Sequence, residues 1–271
     1  MITGATSGFG KAAALKFAEN GYSVIITGRR KELLEKLSSE IKKKFKMDVL
    51  PLHFDVQDFN KVKTAINTLR GKWKNIDVLV NNAGLAAGFG SIDEGVVDDW
   101  EQMIDTNIKG LLYVSKLIFP VMIKRKQGHI INIGSVAGKE VYAKGNVYCA
   151  TKFAVDALTK AMRIDLLPFN IKVTGICPGA AETEFSLVRF KGDAQKAKNI
   201  YTGFTPLTAG DVAEVIWFAA SRPAHVNIND IVIMPTAQAD TKNLFTDFTQ
   251  KTKLSRKGAV RAKKNRVQKN H

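Results

Sequence analysis

The stretch TGATSGFG, residues 3–10, is the strongest indication of the fold class. Its glycines lie between a short apolar start and a helical pattern, where they let the backbone approach a phosphate closely. The N-terminus of the following helix offers free N–H donors and a partial positive charge. A glycine cluster alone is a weak signal, but this position within a βαβ unit strengthens it. We therefore predict a dinucleotide phosphate loop formed by Gly4, Ala5, Thr6, Ser7, Gly8, Phe9 and Gly10.

Outward from this loop, short β-branched runs alternate with helical patterns. Strands that are apolar on both faces and separated by helices indicate a parallel sheet covered on both sides. The prediction is a single Rossmann-type, doubly wound α/β domain with a sheet of about seven strands. Besides the first, the predicted strands are SVIIT (23–27), VLPLHF (49–54), IDVLV (76–80), HIINIG (129–134), KVTGIC (172–177) and DIVIM (230–234), and helices are expected from about Asp98, Asn146 and Asp211, with Asp58 as an N-cap.

The first strand is truncated, because only Met1 and Ile2 precede the glycine loop. A central strand of such a sheet normally has about five or six residues. We expect that four or five additional apolar residues before Met1 would raise the stability of the fold.

Composition excludes several classes of protein. The 271 residues, 45% hydrophobic and 24% charged, are enough for one large α/β domain or two small ones. No uninterrupted apolar run approaches about 18 residues and the start lacks a signal-peptide layout, so we expect a cytoplasmic protein without a membrane segment. Two cysteines and four scattered histidines predict neither a disulfide framework nor a metal site.

The net charge of +16 is concentrated at the C-terminus, where nine basic and no acidic residues follow Asp247. Without those nine charges the rest of the chain carries a modest +7. Such a composition is typical of disorder. The sequence thus predicts a folded domain over 1–239 and a basic, disordered tail over 240–271. Contact between this tail and nucleic acid or an anionic membrane is an open alternative.

The end of the second strand predicts which dinucleotide binds. A fold selective for NAD carries an acidic residue there, about 20 residues past the glycine loop. This chain has Gly28, Arg29 and Arg30 instead. Guanidinium groups suit a 2′-phosphate, so the pattern favours NADP. Without the glycine loop, two solvated arginines at a helix start would be the simpler interpretation.

Tyr148 and Lys152 lie four residues apart on a predicted helix, so both project from one face. A lysine ammonium beside a tyrosine favours the phenolate and lowers its pKa, which suits proton transfer. A Tyr-x-x-x-Lys pair alone is usually an ordinary surface pair. Two further features support catalysis here: Ser135 at the end of the HIINIG strand and the NNAG turn from Asn81 to Gly84. Each alone has an ordinary explanation as a turn or cap.

With these motifs together, the chain resembles the short-chain dehydrogenase/reductase family over about residues 1–239. TGATSGFG, NNAG, Asn107, Ser135, Tyr148-x-x-x-Lys152, Pro178-Gly179 and Thr183 occur in the family's order and spacing. The resemblance implies that Tyr148 is the general acid/base and that Lys152 also binds the nicotinamide ribose. It further implies that Ser135 orients the substrate and that Asn107 holds a water next to the lysine.

The resemblance also implies further cofactor contacts and an assembly. Asp55 and Val56 are expected at the adenine, and Asn82, Ala83 and Gly84 on the adenosine side. Pro178, Gly179 and Thr183 are expected at the nicotinamide end, within a substrate segment over about 178–210. Relatives are usually tetramers, so we expect a homotetramer.

Within the family, stretches such as GHIINIGSVAG and TEFSLVRFKGD resemble the NADP-dependent 3-hydroxy acid dehydrogenases. This implies a substrate of the serine, allo-threonine or 3-hydroxypropionate type. Arg189 and Lys191 are candidate cations for its carboxylate, although both are equally well read as solvated loop residues, and Glu182 would repel an acid if it pointed inward. Alternatives are another carbonyl class, such as 3-oxoacyl, sugar or steroid-like substrates, and a non-catalytic nucleotide-binding protein.

Overall fold

A computed structural model describes residues 1–246 of the chain. Within residues 1–246, six parallel strands form the sheet, which supports the predicted doubly wound class. The strands are β1 (Val24–Gly28), β2 (Val49–His53), β3 (Val78–Asn81), β4 (Gly128–Ile133), β5 (Ile171–Pro178) and β6 (Asp230–Ile233). In space they follow the order β2-β1 and β3-β4-β5-β6.

Ile2 occupies the position of the truncated first strand. It forms parallel bridges to Ile26 of β1 and to Val80 of β3, and so joins the two parts of the sheet. Its N–H donates to Ile25 O at 2.8 Å. Beside this single bridging residue, a groove of about 410 Å³ remains between β1 and β3. The position expected for a longer central strand is thus only partly filled.

Helices cover both faces of the sheet. As predicted, Asp58 caps the helix Phe59–Asn67, by accepting from the N–H of Lys61 at 3.0 Å. The last long helix begins two residues earlier than expected, because Thr208 and Asp211 form a capping box. The helices are α1 (Gly8–Glu19), α2 (Lys31–Phe45), α3 (Phe59–Asn67), α4 (Val97–Ile104), α5 (Leu111–Arg125), α6 (Asn146–Leu166), α7 (Glu184–Arg189), α8 (Ala194–Asn199) and α9 (Ala209–Ala220).

Two apolar cores lie on opposite sides of the sheet. On one side, α1, α2 and α9 contribute Phe17, Leu34, Leu37, Ile41 and Ile216. On the other, α3, α5 and α6 contribute Val62, Val114, Ile118, Met122 and Val155. This arrangement places the carboxyl ends of all strands at one edge, where open α/β sheets bind ligands.

A π-helical segment, Asp105–Gly110, connects α4 and α5 into one continuous helix. π-Helical turns are rare and frequently occur at functional sites. The combined helix from Val97 to Arg125 is long and apolar enough by composition to cross a membrane, with 44% of its most apolar window buried in the protein. Here Val114, Ile118 and Met122 pack it against the sheet.

Residues 240–246 correct the predicted start of the tail. The Ala239 N–H donates to Asn243 O at 3.0 Å, and Gln238 forms an antiparallel bridge with Leu244. Thr241 Oγ1 donates to Glu140 Oε2 at 3.2 Å. These seven residues are therefore folded against the domain rather than part of a disordered tail. The remaining tail, 247–271, lies outside the described residues.

Candidate active site

The glycine loop turns tightly at the carboxyl edge of the sheet. Gly4 has φ +63°, a left-handed conformation that side chains rarely adopt, and a Cβ there would lie 2.9 Å from Ala83 Cα. A Cβ on Gly10 would lie 2.4 Å from both Asn82 Nδ2 and Gly4 O. These positions need glycine, because the loop, the first turn of α1 and the NNAG turn meet at backbone distance.

Asn82 braces this loop. Its Nδ2 donates to Thr3 O at 2.8 Å and to Gly4 O at 3.1 Å, while the Asn82 and Ala83 N–H groups donate to Thr3 Oγ1. The Asn82 side chain therefore shapes the glycine loop together with Thr3, whose bracing role no local sequence pattern predicts. The expected contact of Asn82 with the adenosine side of a cofactor stays a prediction.

The N-terminus of α1 is suited to an anion. Within residues 1–246, no side chain caps it at Ser7, and its first turn carries no acidic residue. Its free N–H groups and the positive end of the helix dipole therefore face the edge where a diphosphate is expected.

Arg29 and Arg30 follow β1 beside this loop, and both are about half exposed. Arg30 Nε and NH2 donate to Thr6 Oγ1 at 3.3 and 3.1 Å. Arg29 NH1 lies 3.5 Å from Asp55 Oδ2. Arg30 thus contacts the glycine loop, while the neighbouring Arg29 pairs with Asp55, and the two guanidinium groups are of the kind that suits a 2′-phosphate.

Asp55 and Val56 follow β2 at the same edge. Asp55 Oδ1 accepts from the Gln57 N–H at 3.0 Å. Val56 is buried, and its Cγ2 lies 2.7 Å from where a Cβ on Gly110 would be. Val56 therefore packs against the π-helical segment.

Tyr148 and Lys152 lie on the first two turns of α6, and Ser135 lies just beyond β4. Ser135 Oγ accepts from the Ala137 N–H at 3.1 Å and lies 3.4 Å from Pro178 O. The Ser135 hydroxyl is also close enough to the Tyr148 phenol to lower its pKa. The serine and the tyrosine predicted to face a substrate hydroxyl are therefore adjacent.

Lys152 and Asn107 are both buried beside Gly84. Lys152 Nζ donates to Ile133 O at 2.9 Å and lies 6.0 Å from the centroid of the Tyr148 ring. Asn107, in the π-helical segment, accepts from the Leu85 N–H at 2.8 Å and donates to Leu85 O and Thr151 Oγ1. Asn107 Oδ1 and Lys152 Nζ would lie 3.2 and 3.5 Å from a Cβ on Gly84. The sheet edge thus gathers all four predicted catalytic residues.

The expectation that Lys152 lowers the pKa of Tyr148 is wrong for this structure. Burial raises the pKa of the Tyr148 phenol well above its usual range, although the Ser135 hydrogen bond and the charge of Arg189 act in the opposite direction. Burial also lowers the pKa of Lys152, to about 8. Desolvation prevails because both groups are enclosed in the protein, where their charged forms are disfavoured.

Arg189 is buried in a cage of aromatic rings at the end of α7. Its guanidinium carbon lies 4.7 Å from the centroid of Phe89, 5.4 Å from Tyr142 and 5.6 Å from Tyr148. The residue is only 8% exposed, yet its Nε and NH2 have no hydrogen-bond partner among residues 1–246. The reading of Arg189 as a solvated loop residue is therefore wrong, and its unpaired donors are suited to an anion.

A cavity of about 340 Å³ adjoins Tyr148 and Arg189. The second candidate cation, Lys191, lines it but pairs with Asp99 at 2.9 Å. Glu182 is exposed and does not line the cavity, so it does not repel an acidic substrate there. Phe89 and Tyr142, whose rings enclose Arg189, were not predicted from the sequence. No local pattern marks them, because they come from separate loops.

The segment after β5, residues 179–183, packs between the glycine loop and the end of the sheet. Gly179 donates its N–H to Ile233 O at 2.8 Å, and a Cβ there would lie 2.4 Å from Gln238 Oε1. Thr183 caps α7 by accepting from the Phe185 N–H at 3.2 Å. The Thr183 side chain would lie 3.5 Å from a Cβ on Gly8. Pro178, Gly179 and Thr183 thus lie between the glycine loop and Ser135.

Other potentially reactive groups contribute little to the site. In the described range, His, Cys, Asp and Glu form no cluster that could hold a metal ion. Cys149 and Cys177 are buried, and burial raises the pKa of both thiols. Cys149 packs with Leu85, Ala86 and Met103 in a small apolar cluster next to Tyr148.

Comparison with known proteins supports the same assignment. The short chain dehydrogenase family matches residues 1–193. An NADP-dependent 3-hydroxy acid dehydrogenase of Salmonella typhi is 48% identical over 240 residues, which cover 88% of this chain and 95% of the relative. Sulfoacetaldehyde reductase 2 of Chromohalobacter salexigens is 45% identical over 240 residues, 88% of this chain and 94% of the relative.

Solved structures agree in fold. The closed form of a serine dehydrogenase complexed with NADP⁺ is 45% identical, with a TM-score of 0.84 over 88% of this chain and 95% of that chain. A serine dehydrogenase from Escherichia coli is 40% identical, with a TM-score of 0.75 over 88% and 97%. With the glycine loop, the Ser135, Tyr148 and Lys152 arrangement and this degree of identity, the chain belongs to the short-chain dehydrogenase/reductase family.

Proposed function

We propose that this protein is an NADP-dependent oxidoreductase that interconverts a small 3-hydroxy acid, of the serine, allo-threonine or 3-hydroxypropionate type, and the matching carbonyl compound. The substrate class is inferred from Arg189, whose buried guanidinium has two unpaired donors beside the ring of Tyr148. A carboxylate is the small-molecule group that such a fork binds best. The names of the two curated relatives, a 3-hydroxy acid dehydrogenase and a sulfoacetaldehyde reductase, both involve small acidic compounds.

The residues present fit NADP. The uncapped N-terminus of α1 and the close-packed glycines suit the diphosphate, and Arg29 and Arg30 suit the 2′-phosphate. When bound, NADP supplies the group that accepts or donates hydride. Lys152 Nζ, next to Gly84, is placed to hydrogen-bond the nicotinamide ribose, as the family resemblance implies.

The protein's own chemistry is proton transfer and orientation. The substrate hydroxyl lies between Ser135 and Tyr148, and Arg189 fixes the carboxylate on the other side of the Tyr148 ring. In reduction, the neutral Tyr148 phenol, which burial favours, donates its proton to the carbonyl oxygen; in oxidation, the phenolate, which forms only at higher pH, takes the hydroxyl proton. Ser135 donates a hydrogen bond to that oxygen as charge develops on it. Asn107 holds the π-helical segment against Leu85, next to Lys152.

The cavity favours a small substrate over the alternatives. Its volume of about 340 Å³ lies at the lower end of the range for drug-sized ligands, and its lining includes five charged residues: Glu94, Asp99, Lys144, Arg189 and Lys191. A steroid or long acyl chain would have to displace this charged lining. We therefore rank other carbonyl classes, and a non-catalytic nucleotide-binding role, below the hydroxy acid.

The test is a substrate panel with Arg189→Met and Tyr148→Phe. Wild-type enzyme is assayed by NADPH formation at 340 nm with L-serine, 3-hydroxypropionate and the uncharged 1-propanol. Arg189→Met is expected to raise KM for the acids by about 10- to 100-fold, since charge-assisted hydrogen bonds contribute about 1.5–3 kcal/mol, with little change for the alcohol. Tyr148→Phe is expected to abolish turnover while NADPH still binds. Equal KM values for acids in wild type and Arg189→Met would contradict the substrate class.

We also propose a homotetramer in which the folded domain of each protomer includes residues 1–246, with 178–210 as the substrate segment. Large apolar side chains are exposed on the outer surface of α6, at its end and on α9 and β6. They are Phe153, Ile164, Leu167, Phe218 and Val232. Patches of this kind mark association surfaces in soluble proteins. Light scattering after gel filtration measures the mass directly, and a monomer at micromolar concentration would contradict the proposal.

A further inference from the structure

Arg30 has a carboxylate partner on the far side of the cofactor cleft. Arg30 NH1 lies 2.9 Å from Glu184 Oε2, while Nε and NH2 of the same guanidinium donate to Thr6 Oγ1. Arg30 precedes α2 and Glu184 begins α7, so the ion pair joins two segments 154 positions apart in the sequence. It connects the cofactor's expected 2′-phosphate position to the substrate segment.

α7 extends from this ion pair to the substrate cavity. At its start, the side chain of Thr183 lies near Gly8 of the phosphate loop. At its other end, Arg189 O accepts from the Gly88 N–H at 3.2 Å, and Lys191 pairs with Asp99. One short helix therefore contacts the glycine loop and Arg30 at its N-terminal end and carries the proposed carboxylate ligand at its C-terminal end.

We propose that Glu184 is a specificity-determining residue that competes with the 2′-phosphate of NADP(H) for the guanidinium of Arg30. This inference rests on the proposed assignment of Arg30 to the 2′-phosphate. A phosphate dianion and a carboxylate at one guanidinium repel each other, so binding of the phosphate weakens or breaks the pair with Glu184. NAD(H) has a hydroxyl at this position and meets no such competition. Glu184 thus lowers the affinity for NADP(H) selectively.

The size of the effect follows from the exposure of the pair. Both side chains are about half exposed, and exposed ion pairs contribute up to about 1 kcal/mol, or about fivefold in an equilibrium constant. The competition weakens as salt screens the charges.

The experiment measures Kd for NADPH and NADH by the change in their fluorescence on binding, without turnover. Glu184→Gln is compared with wild type and with the matched control Glu182→Gln. Glu182 lies two positions away, is exposed and makes no ion pair in the part of the chain that the structure describes. Glu184→Gln is expected to lower Kd for NADPH by about three- to fivefold at low salt, to leave Kd for NADH unchanged, and to lose its effect at 0.5 M salt. Glu182→Gln is expected to change neither value.

Three results would overturn the inference: an unchanged or raised Kd for NADPH, an equal fall for NADH and NADPH, or the same effect in Glu182→Gln. Arg30→Met separates this inference from the cofactor assignment. If Arg30→Met leaves the preference for NADPH over NADH unchanged, the assignment of Arg30 is wrong and the inference falls with it. If Arg30→Met weakens NADPH binding selectively while Glu184→Gln has no effect, only the role of Glu184 is refuted.

Discussion

Lys139 Nζ lies 2.5 Å from Asp156 Oδ1, so the loop that follows Ser135 is tied to the helix that carries Tyr148 and Lys152. The same loop presses on that helix at Gly138, where a Cβ would lie 2.5 Å from Lys152 O. Asp156 lies one turn beyond Lys152, and its side chain is only 13% exposed. The ion pair therefore sets the position of Ser135 relative to Tyr148.

We predict that Lys139→Met lowers kcat by about tenfold, because a misplacement of about 1 Å between reacting groups costs up to about 100-fold. Kd for NADPH is expected to stay unchanged, since Lys139 pairs with Asp156 and Asp230, which are not among the residues expected to hold the cofactor. Lys139→Arg keeps the cation and is expected to restore most of the activity. The control is Lys160→Met, which removes the exposed partner of the other Asp156 oxygen. A kcat within twofold of wild type would rule out this positioning role.

We predict that the buried ammonium of Lys152 destabilises the folded protein. Its pKa falls from 10.5 to about 8 on burial, so at pH 7 the folded protein holds a desolvated ammonium at a cost of about 3 kcal/mol. Lys152→Met removes that cost and loses one hydrogen bond to Ile133 O, worth about 1 kcal/mol. We expect the variant to be inactive but about 2 kcal/mol more stable to urea at pH 7.

The difference in stability between wild type and Lys152→Met is expected to depend on pH. Between pH 8 and 10.5 the unfolded chain binds more protons at Lys152 than the folded one, so wild-type stability rises with pH in this window and the advantage of Lys152→Met disappears. Lys116→Met, which removes an exposed lysine of α5, serves as the control. A variant less stable than wild type at pH 7 would contradict the prediction.

His129 is predicted to make the fold sensitive to acid. Burial, with a smaller effect of nearby Lys172, lowers its pKa to about 3, and its Nε2 lies 2.7 Å from Thr174 Oγ1. The unfolded chain binds a proton at about pH 6.5, so stability is lost as pH falls from 6.5 towards 3, by about 1.4 kcal/mol per unit. We expect His129→Gln to flatten this part of the profile in urea titrations.

The control for this experiment is His225→Gln, at an exposed histidine. If His129→Gln and His225→Gln lose stability between pH 6 and 4 as steeply as wild type, other groups cause the acid sensitivity.

The groove beside Ile2 is predicted to accept additional strand. Appending four β-branched residues before Met1 places apolar side chains between β1 and β3, near Ile25 and Val78. Burying one such side chain contributes about 1.5–3 kcal/mol, so we expect a rise in Tm of about 3–12 °C, at about 2–4 °C per kcal/mol for a chain of this size. A Gly-Ser extension of equal length is the control. Equal Tm values for the two extensions would show that the groove gains nothing from a strand.

Much of the architecture was accessible from sequence because it depends on local periodicity. Apolar runs separated by helical patterns predicted the parallel sheet, and the spacing of Tyr148 and Lys152 placed both on one helical face. The family resemblance brought Asn107 and Ser135 to the same edge. These expectations needed only the spacing of apolar residues in each helix and strand and the common direction of the strands.

Other properties depend on contacts between distant segments. The raised pKa of Tyr148 reflects burial, which four-residue spacing does not encode, and the cage around Arg189 combines rings from three loops and helices. The ion pair between Arg30 and Glu184 could not be predicted from the sequence either, because no local pattern relates the two residues. The cytoplasmic location and the contacts of residues 247–271 stay predictions.

The single-residue link at Ile2 determines where the sheet opens most easily. A single residue carries the bridges between β1 and β3, whereas four to six register pairs join each pair of neighbouring strands elsewhere in the sheet. The line through Ile2 is thus the place where the sheet opens most easily. Amide hydrogens along it, at Ile2, Thr3 and Val80, are expected to exchange with solvent by local opening well before those between β4 and β5, and the phosphate loop, which begins at Thr3, shares that mobility.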